Sequence, residues 1–250
     1  MLGKPLLVQH TVNVAFARHA GIRRSANDIE DAIAKGCPGG YQAPQVIPVP
    51  DGLGPDVPRM IFSSLNGFSQ IMVSEVSVAL IVTYSEDWQA EYLKCRDYIM
   101  KRSAVLFDLL KAIDAEPHYS GISTKVHMYS PGPNDDGVAA VRQLLNLGEV
   151  SSEMNEINLR WSITDDPYFY RNMVVQSVKS WGGLEPNLDR LMDGDVVAVG
   201  VEIVSDSNDR RGYNERDGYR TSIDKCLNLI DCSHSDSMMW AGRIGGGSVQ

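Results

Sequence analysis

Between residues 59 and 113 the spacing of apolar positions changes once, and the change separates strands from a helix. RMIFSS and FSQIMVSE alternate apolar with polar residues on either side of Asn66-Gly67, the dipeptide that suits a two-residue hairpin turn. Val76–Tyr84 (VSVALIVTY) is almost wholly apolar or β-branched, the pattern of a central strand. From Asp87 the period becomes helical. Trp88, Tyr92, Cys95, Ile99, Leu106, Leu109 and Ile113 recur at steps of three, four and seven, which predicts one amphipathic helix roughly 40 Å long.

The same grammar extends to both sides. Leu6–Ala17 (LLVQHTVNVAFA) alternates as a strand. SANDIEDAIAKG reads as a short helix capped by Ser25 or Asn27, carrying Ile29 and Ile33 inward and ended by Gly36. Residues 38–58, with six prolines and four glycines, read as an ordered loop. Ala115-Glu116-Pro117 stops the long helix. Beyond it come a strand at His118–Tyr129 (HYSGISTKVHMY), a turn-rich PGPNDDG, a helix at Val138–Leu147, and strands at Met154–Thr164, Tyr168–Trp181 and Asp195–Val204. A polar loop, SDSNDRRGYNERDG, leads into a last helix. Ser222 caps it, with Ile223, Leu227, Ile230 and Met238 on one face.

Both halves therefore read strand, helix, three strands, helix, with a boundary near Glu116. The expected fold class is α+β: two β-α-β-β-β-α units, 1–116 and 117–243, forming one mainly antiparallel sheet covered by two long helices, with 244–250 a flexible tail. The halves share element order without evident sequence identity. That order resembles the saddle of TATA-binding proteins, a likeness of fold that licenses no function.

Composition narrows the class. At 43% hydrophobic and 22% charged the chain is ordinary globular material, and no apolar run approaches the ~20 residues of a membrane span. MLGKPLLVQHTVNV reads as a first strand, not a signal peptide. Four dispersed cysteines are poor material for a disulfide framework and point to a reducing cytoplasm. A net charge of −9 disfavours direct nucleic-acid binding.

Motifs with a built-in mechanism are missing: no GxxxxGK[ST], no GxGxxG between strand and helix, no GxSxG and no HExxH. Asp195 and Glu202 lie on a strand where a nuclease would add Asp/Glu-x-Lys, but residue 204 is Val. Cys226, Cys232 and His234 suggest zinc only superficially. Six residues along a helix turn about 240°, so the two cysteines face different ways. Asp135-Asp136-Gly137 reads as a turn, since the residues after it lack the oxygen ligands of a calcium loop. His10, His118 and His127 fall on strands, where a satisfied structural role is expected. No catalytic residue, metal or cofactor is therefore expected.

The candidate contact segment is Ser205–Arg220. Arg210, Arg211, Tyr213, Arg216, Tyr219 and Arg220 alternate there with acids, and Arg and Tyr are the residue types that anchor interfaces. Its bland reading is a solvated loop whose charges pair among themselves. Tyr168, Phe169 and Tyr170 form a second aromatic cluster, better read as core packing.

LVQHTVNVAFAR, the block from Pro58 to Ile99, VAVGVEIV and SIDKCLNLIDCSH together resemble a sporadically distributed family of uncharacterised prokaryotic proteins. Asn66-Gly67 stands where that family more often has Asp-Gly, and Cys232-Ser233-His234 replaces its usual Leu-His setting. The resemblance carries over no functional residues. Its patchy distribution implies mobile gene clusters such as phage-defence or toxin–antitoxin cassettes. The expected function is a non-catalytic cytoplasmic binding protein, an accessory or sensing subunit of such a system. Its partner would be a protein encoded nearby or a second copy of the chain. The alternatives are a metal-dependent enzyme on nucleotides or nucleic acid using Asp165, Asp166 and Glu202, and an acidic nucleic-acid mimic.

Overall fold

A computed structural model describes residues 2–48, 50, 53–130, 137–144, 156–164, 168–181 and 196–245. Its elements are β1 (Leu6–Phe16), a 3-10 turn (Ile22–Ser25), α1 (Ala26–Gly36), β2 (Gln45–Val46), β3 (Met60–Ser63), β4 (Ser69–Val73), β5 (Ser77–Thr83), α2 (Glu86–Gln89) and α3 (Tyr92–Ala112). They continue with β6 (Pro117–Tyr129), α4 (Gly137–Leu144), β7 (Asn158–Ile163), β8 (Tyr170–Trp181), β9 (Val196–Asn208), α5 (Arg210–Glu215) and α6 (Ile223–Ile244). Among the described residues the strands form one antiparallel sheet in the order β2-β3-β4-β5-β1-β6-β9-β8-β7. The α+β class and the antiparallel sheet expected from the sequence are present.

Each half is wound in the same way. A meander of three strands returns its last member to the half's first strand, β5 to β1 and β9 to β6. The halves meet where β1 pairs with β6, from Leu6 opposite His127 to Phe16 opposite Pro117. α3 packs on β5 and β1, α6 packs on β6 and β9, and the two helices also pack on each other. α1 lies against α3, and α4 against α6, so these helices share one layer on one face.

Period-two burial explains that layer. Val12, Val14, Leu80, Val82, Ile122, Val126, Val201 and Ile203 are buried beneath Ile99, Leu106, Leu109, Leu110, Leu229 and Ile230. Removing such side chains from water is the dominant favourable contribution to the fold. The hairpin turn is where Asn66-Gly67 predicts it. Gly67 adopts φ 73°, and Asn66 Oδ1 accepts from Ser64 Oγ at 2.8 Å and from the Phe68 N–H at 3.2 Å.

Three boundaries differ from expectation. The long helix does not begin at Asp87: α2 is a separate turn, and Glu91 (ψ 63°) breaks the path before α3. The break lets Trp88 stack on Tyr84 and meet Phe68 and Tyr98 edge-on. β9 runs on through Ser205–Asn208, because small serines fit under α6 where Ser233 Oγ donates to the Ser205 carbonyl at 2.9 Å. The segment after it contains the helical turn α5. The tail expected from 244 overlaps α6, which ends at Ile244, and residues 246–250 lie outside the described residues. So do Asp135 and Asp136, Leu145–Leu147, and Met154 and Asn155 at the start of the expected strand.

The two long helices begin alike. α3 and α6 both carry Lys-Cys as their third and fourth residues and Ile four places on: Lys94, Cys95, Ile99 and Lys225, Cys226, Ile230. Phe68 meets Trp88 at 6.1 Å with Lys94 Nζ 3.9 Å over the indole, and Tyr168 meets Tyr219 at 6.2 Å with Lys225 Nζ 3.8 Å over the phenol. One corner design thus fastens each meander to its helix, by aromatic packing and cation–π attraction.

Gly200 marks the tightest approach on β9. A Cβ there would lie 2.3 Å from the Met128 carbonyl oxygen, and one on Gly137 would lie 2.3 Å from the Gly200 carbonyl oxygen. Gly200→Ala is expected to cost about 1–3 kcal/mol through backbone displacement, read as a lowered urea midpoint with an unchanged m-value.

Candidate binding face

Alternation that buries one set of strand residues leaves the other set on the opposite face, which among the described helices only the short turn α5 reaches, at Tyr119. Cross-strand register arranges that set in rows. One row runs Asn13, Gly121, Asn208, Tyr170; the next Thr11, Ser123, Asp206, Asn172, Ser162. Then come Gln9, Lys125, Val204, Val174, Arg160, and finally His127, Glu202, Gln176, Asn158. Successive rows stand roughly 7 Å apart along the strands. Amides, hydroxyls and a few charges dominate.

Two carboxylates on β9 organise the outer part. Glu202 accepts from Gln176 Nε2 at 2.7 Å, from Lys125 Nζ at 3.2 Å and from His127 Nε2 at 2.8 Å. Asn158 Nδ2 donates to Gln176 Oε1 at 2.6 Å, so a chain of side chains crosses four strands. Asp206 accepts from Asn172 at 3.0 Å and from Asn208 at 2.8 Å, and Ser162 Oγ lies 2.7 Å from Asn172 Oδ1. The hydrogen bond from His127 holds the Glu202 carboxyl down to about 2, helped by the Lys125 charge and opposed by burial. Glu202 therefore stays ionised, and His127 bridges it to Tyr129, with Nε2 on the carboxylate and Nδ1 2.8 Å from the Tyr129 hydroxyl. Burial and the nearby Glu202 charge raise the Tyr129 phenol, which stays protonated and able to donate.

The inner part differs. Thr11, Asn13 and Ser123, side by side on β1 and β6, make no side-chain hydrogen bond to any described residue. All three are half-buried by their neighbours in the sheet. The middle of the face thus presents unspent hydrogen-bonding groups between side chains already locked.

The Arg/Tyr segment lies at one end of this face, with its members in different roles. Arg210 lies over the Tyr119 ring at 5.5 Å, and Tyr119 belongs to the uncovered face. Tyr213 stacks on His118 at 4.8 Å. Arg211 pairs with Glu215 at 3.0 Å, Arg220 with Glu116 at 2.8 Å, and Arg216 Nη1 donates to the Tyr168 hydroxyl at 3.3 Å. Tyr219 is 6% exposed, and its hydroxyl donates to Asp209 Oδ2 at 3.0 Å, so it seats the segment. Asp209 is fully buried and also accepts from the Ser120 N–H at 2.6 Å. Arg210 and Arg216 remain exposed.

The other candidates resolve variously. Cys226 is fully buried and Cys232 half-buried, and no group of three or more His, Cys, Asp or Glu among the described residues converges as a metal would require. Asp165, Asp166 and Asp195 lie outside the described residues. Phe169 packs against the core as expected. Sequence reasoning singled out Glu202 but missed Lys125, Tyr129 and Gln176. The available signal was the alternation in STKVHMY, which places Lys125, His127 and Tyr129 on one face. No protein-family model matches the chain, and no curated protein matches it.

Glu202→Gln is expected to cost on the order of 1–2 kcal/mol at pH 7, by weakening three charge-assisted contacts. Because the folded carboxyl sits near 2, below its ordinary value, the native contribution is complete above about pH 4.5 and is lost as pH falls towards 2. Urea titrations of both proteins should therefore converge near pH 2. Asp209→Ala strands the Ser120 N–H and the Tyr219 hydroxyl, and is expected to cost about 2–4 kcal/mol in the same measurement.

Proposed function

We propose that the chain is a non-catalytic binding protein that takes a protein partner on the uncovered face of its sheet. The observation that carries this reading is the unspent trio Thr11, Asn13 and Ser123 at the seam between the halves, framed by side chains that hydrogen bonds already hold in place. A surface ordered in advance lowers the entropic cost of association, and polar groups in the middle of a patch give specificity to whatever pairs with them. Arg210, Arg211, Tyr213 and Arg216 form a rim at one end, seated by Tyr219 and Arg220. The resemblance to a patchily distributed prokaryotic family supports a cytoplasmic setting, as an accessory or sensing subunit of a defence or conflict system with a partner encoded nearby.

A second reading has one observation in its favour. The Tyr129–His127–Glu202 chain orders a hydroxyl, an imidazole and a carboxylate as a general acid–base relay does. An enzyme on nucleotides would lose turnover in His127→Phe while keeping its fold; a binding protein shows no turnover to lose.

Co-purification from the native host tests the main reading. Ser123→Arg and Thr11→Arg place a long cation in the middle of the face and should leave the melting temperature within a few degrees of the parent. Partner recovery is expected to fall at least tenfold in each, as unpaired charges buried at an interface cost several kcal/mol. Equal recovery with all three proteins would remove the face from the account.

A further inference from the structure

The most anomalous group in the core is His10. It is fully buried on β1, beneath the helix layer. Its Nδ1 lies 2.9 Å from the Tyr84 hydroxyl, which gives its own proton to the Cys95 carbonyl at 3.0 Å. The Tyr84 oxygen can then only accept, so His10 carries its proton on Nδ1 and presents a bare Nε2. Among the described residues that Nε2 has no hydrogen-bond partner, and neither does Nδ1 of His234 on α6, whose ring centre lies 6.0 Å away. Two buried imidazoles, each with one ring nitrogen unpartnered among the described residues, therefore lie next to each other, one from each half of the chain.

The charged and titratable groups around them leave no counter-ion to spare. Tyr84 directly follows β5, Cys95 and Arg96 come from α3, and Asp231 from α6. Among the described residues Asp231 is the one carboxylate that acts on the pair, through His234, and Arg96 Nε already donates to it at 2.6 Å, across the α3–α6 contact. β6 and β9 contribute only neutral groups, with Thr124 Oγ1 2.8 Å from Ser233 Oγ and the Ser205 carbonyl accepting from that hydroxyl.

We propose that this histidine pair is an acid-sensitive latch on the seam between the halves: taking up a proton at His10 or His234 loosens α6 from β1 and α3, while the β3–β4 hairpin stays closed. A protonated His10 would put a cation and a fresh N–H donor at a buried nitrogen that has no hydrogen-bond partner among the described residues, beside a second imidazole on which the Arg96 guanidinium already acts. Burial pushes His10 down to about 3, and burial together with Arg96 lowers His234. The closed form thus holds its protons less tightly than the open form, whose histidines titrate near their ordinary value of 6.5. Opening is disfavoured above about pH 6.5 and gains on closure as pH falls from there towards 3. One proton gives up to about a tenfold change per pH unit, and both give up to about a hundredfold.

Amide hydrogen exchange of the full chain, corrected for intrinsic rates, tests the latch between pH 7 and 5. Protection in α6 and across the β1–β6 pairing should fall tenfold or more, with β3 and β4 unchanged. Both His10→Gln, which keeps a polar contact for Tyr84, and the less buried His234→Gln should flatten that dependence. If His10→Gln fails to fold, His234→Gln and the titration of the imidazole proton signals decide alone: the His10 signal should not titrate above pH 5. A loss of protection spread evenly over the sheet, a dependence untouched by His234→Gln, or a His10 signal titrating near pH 6.5 would overturn the proposal.

Discussion

The antiparallel pairing of β1 with β6 is the constraint from which the rest of the molecule follows. Each half builds a meander and folds its own first strand against it, leaving that strand's other edge unpaired. An open edge is a liability, and the two edges satisfy each other along the full length of β1. Once they are joined, the helices that cover them must lie side by side, and the Arg96–Asp231 ion pair spans the contact between α3 and α6. The sheet becomes a single nine-stranded surface among the described residues, with the first strand of each half at its centre.

That arrangement also sorts the polar chemistry. Toward the helices, polar groups are few and mostly closed in on themselves: Thr124 with Ser233, Ser120 and Tyr219 with Asp209, His10 with Tyr84. Away from the helices, polar groups are the rule. The carboxylates of β9 tie down the side chains of β6, β7 and β8, and the seam strands keep Thr11, Asn13 and Ser123 unengaged. A buried polar group costs free energy unless it is paired, whereas one on an uncovered sheet face costs little. The same seam therefore carries both the weakest-satisfied core groups and the readiest surface groups.

Much of the layout was legible in the residues. Val76–Tyr84 and the Lys-Val-His-Met-Tyr alternation have a period of two, Ile99 to Ile113 has the helical period, and Asn66-Gly67 sets a turn. These are local signals, and burial on one face enforces them. Less legible was anything that depends on another half of the chain. Ser205–Asn208 looks like loop because serine and aspartate are poor strand formers, yet pairing with β6 and the space beneath α6 hold it extended. The break at Glu91 follows from the packing of Trp88, which no propensity encodes. Tyr219 reads as an interface anchor and is a seat for α5, since only the fold brings Asp209 to its hydroxyl. His10 reads as an ordinary strand residue, because its exceptional feature is what surrounds Nε2.

In the proposed binding role the uncovered face, and not the helix layer, is where the protein meets its partner. Hydroxyl-radical footprinting of the chain, alone and in the complex purified from its native host, addresses that claim residue by residue. The account predicts protection of His127, Tyr129, Tyr119 and Tyr170, with Trp240 on α6 and Tyr92 on α3 unchanged. Protection confined to the helix layer, with the β6 and β8 side chains as reactive as in the free chain, would contradict it.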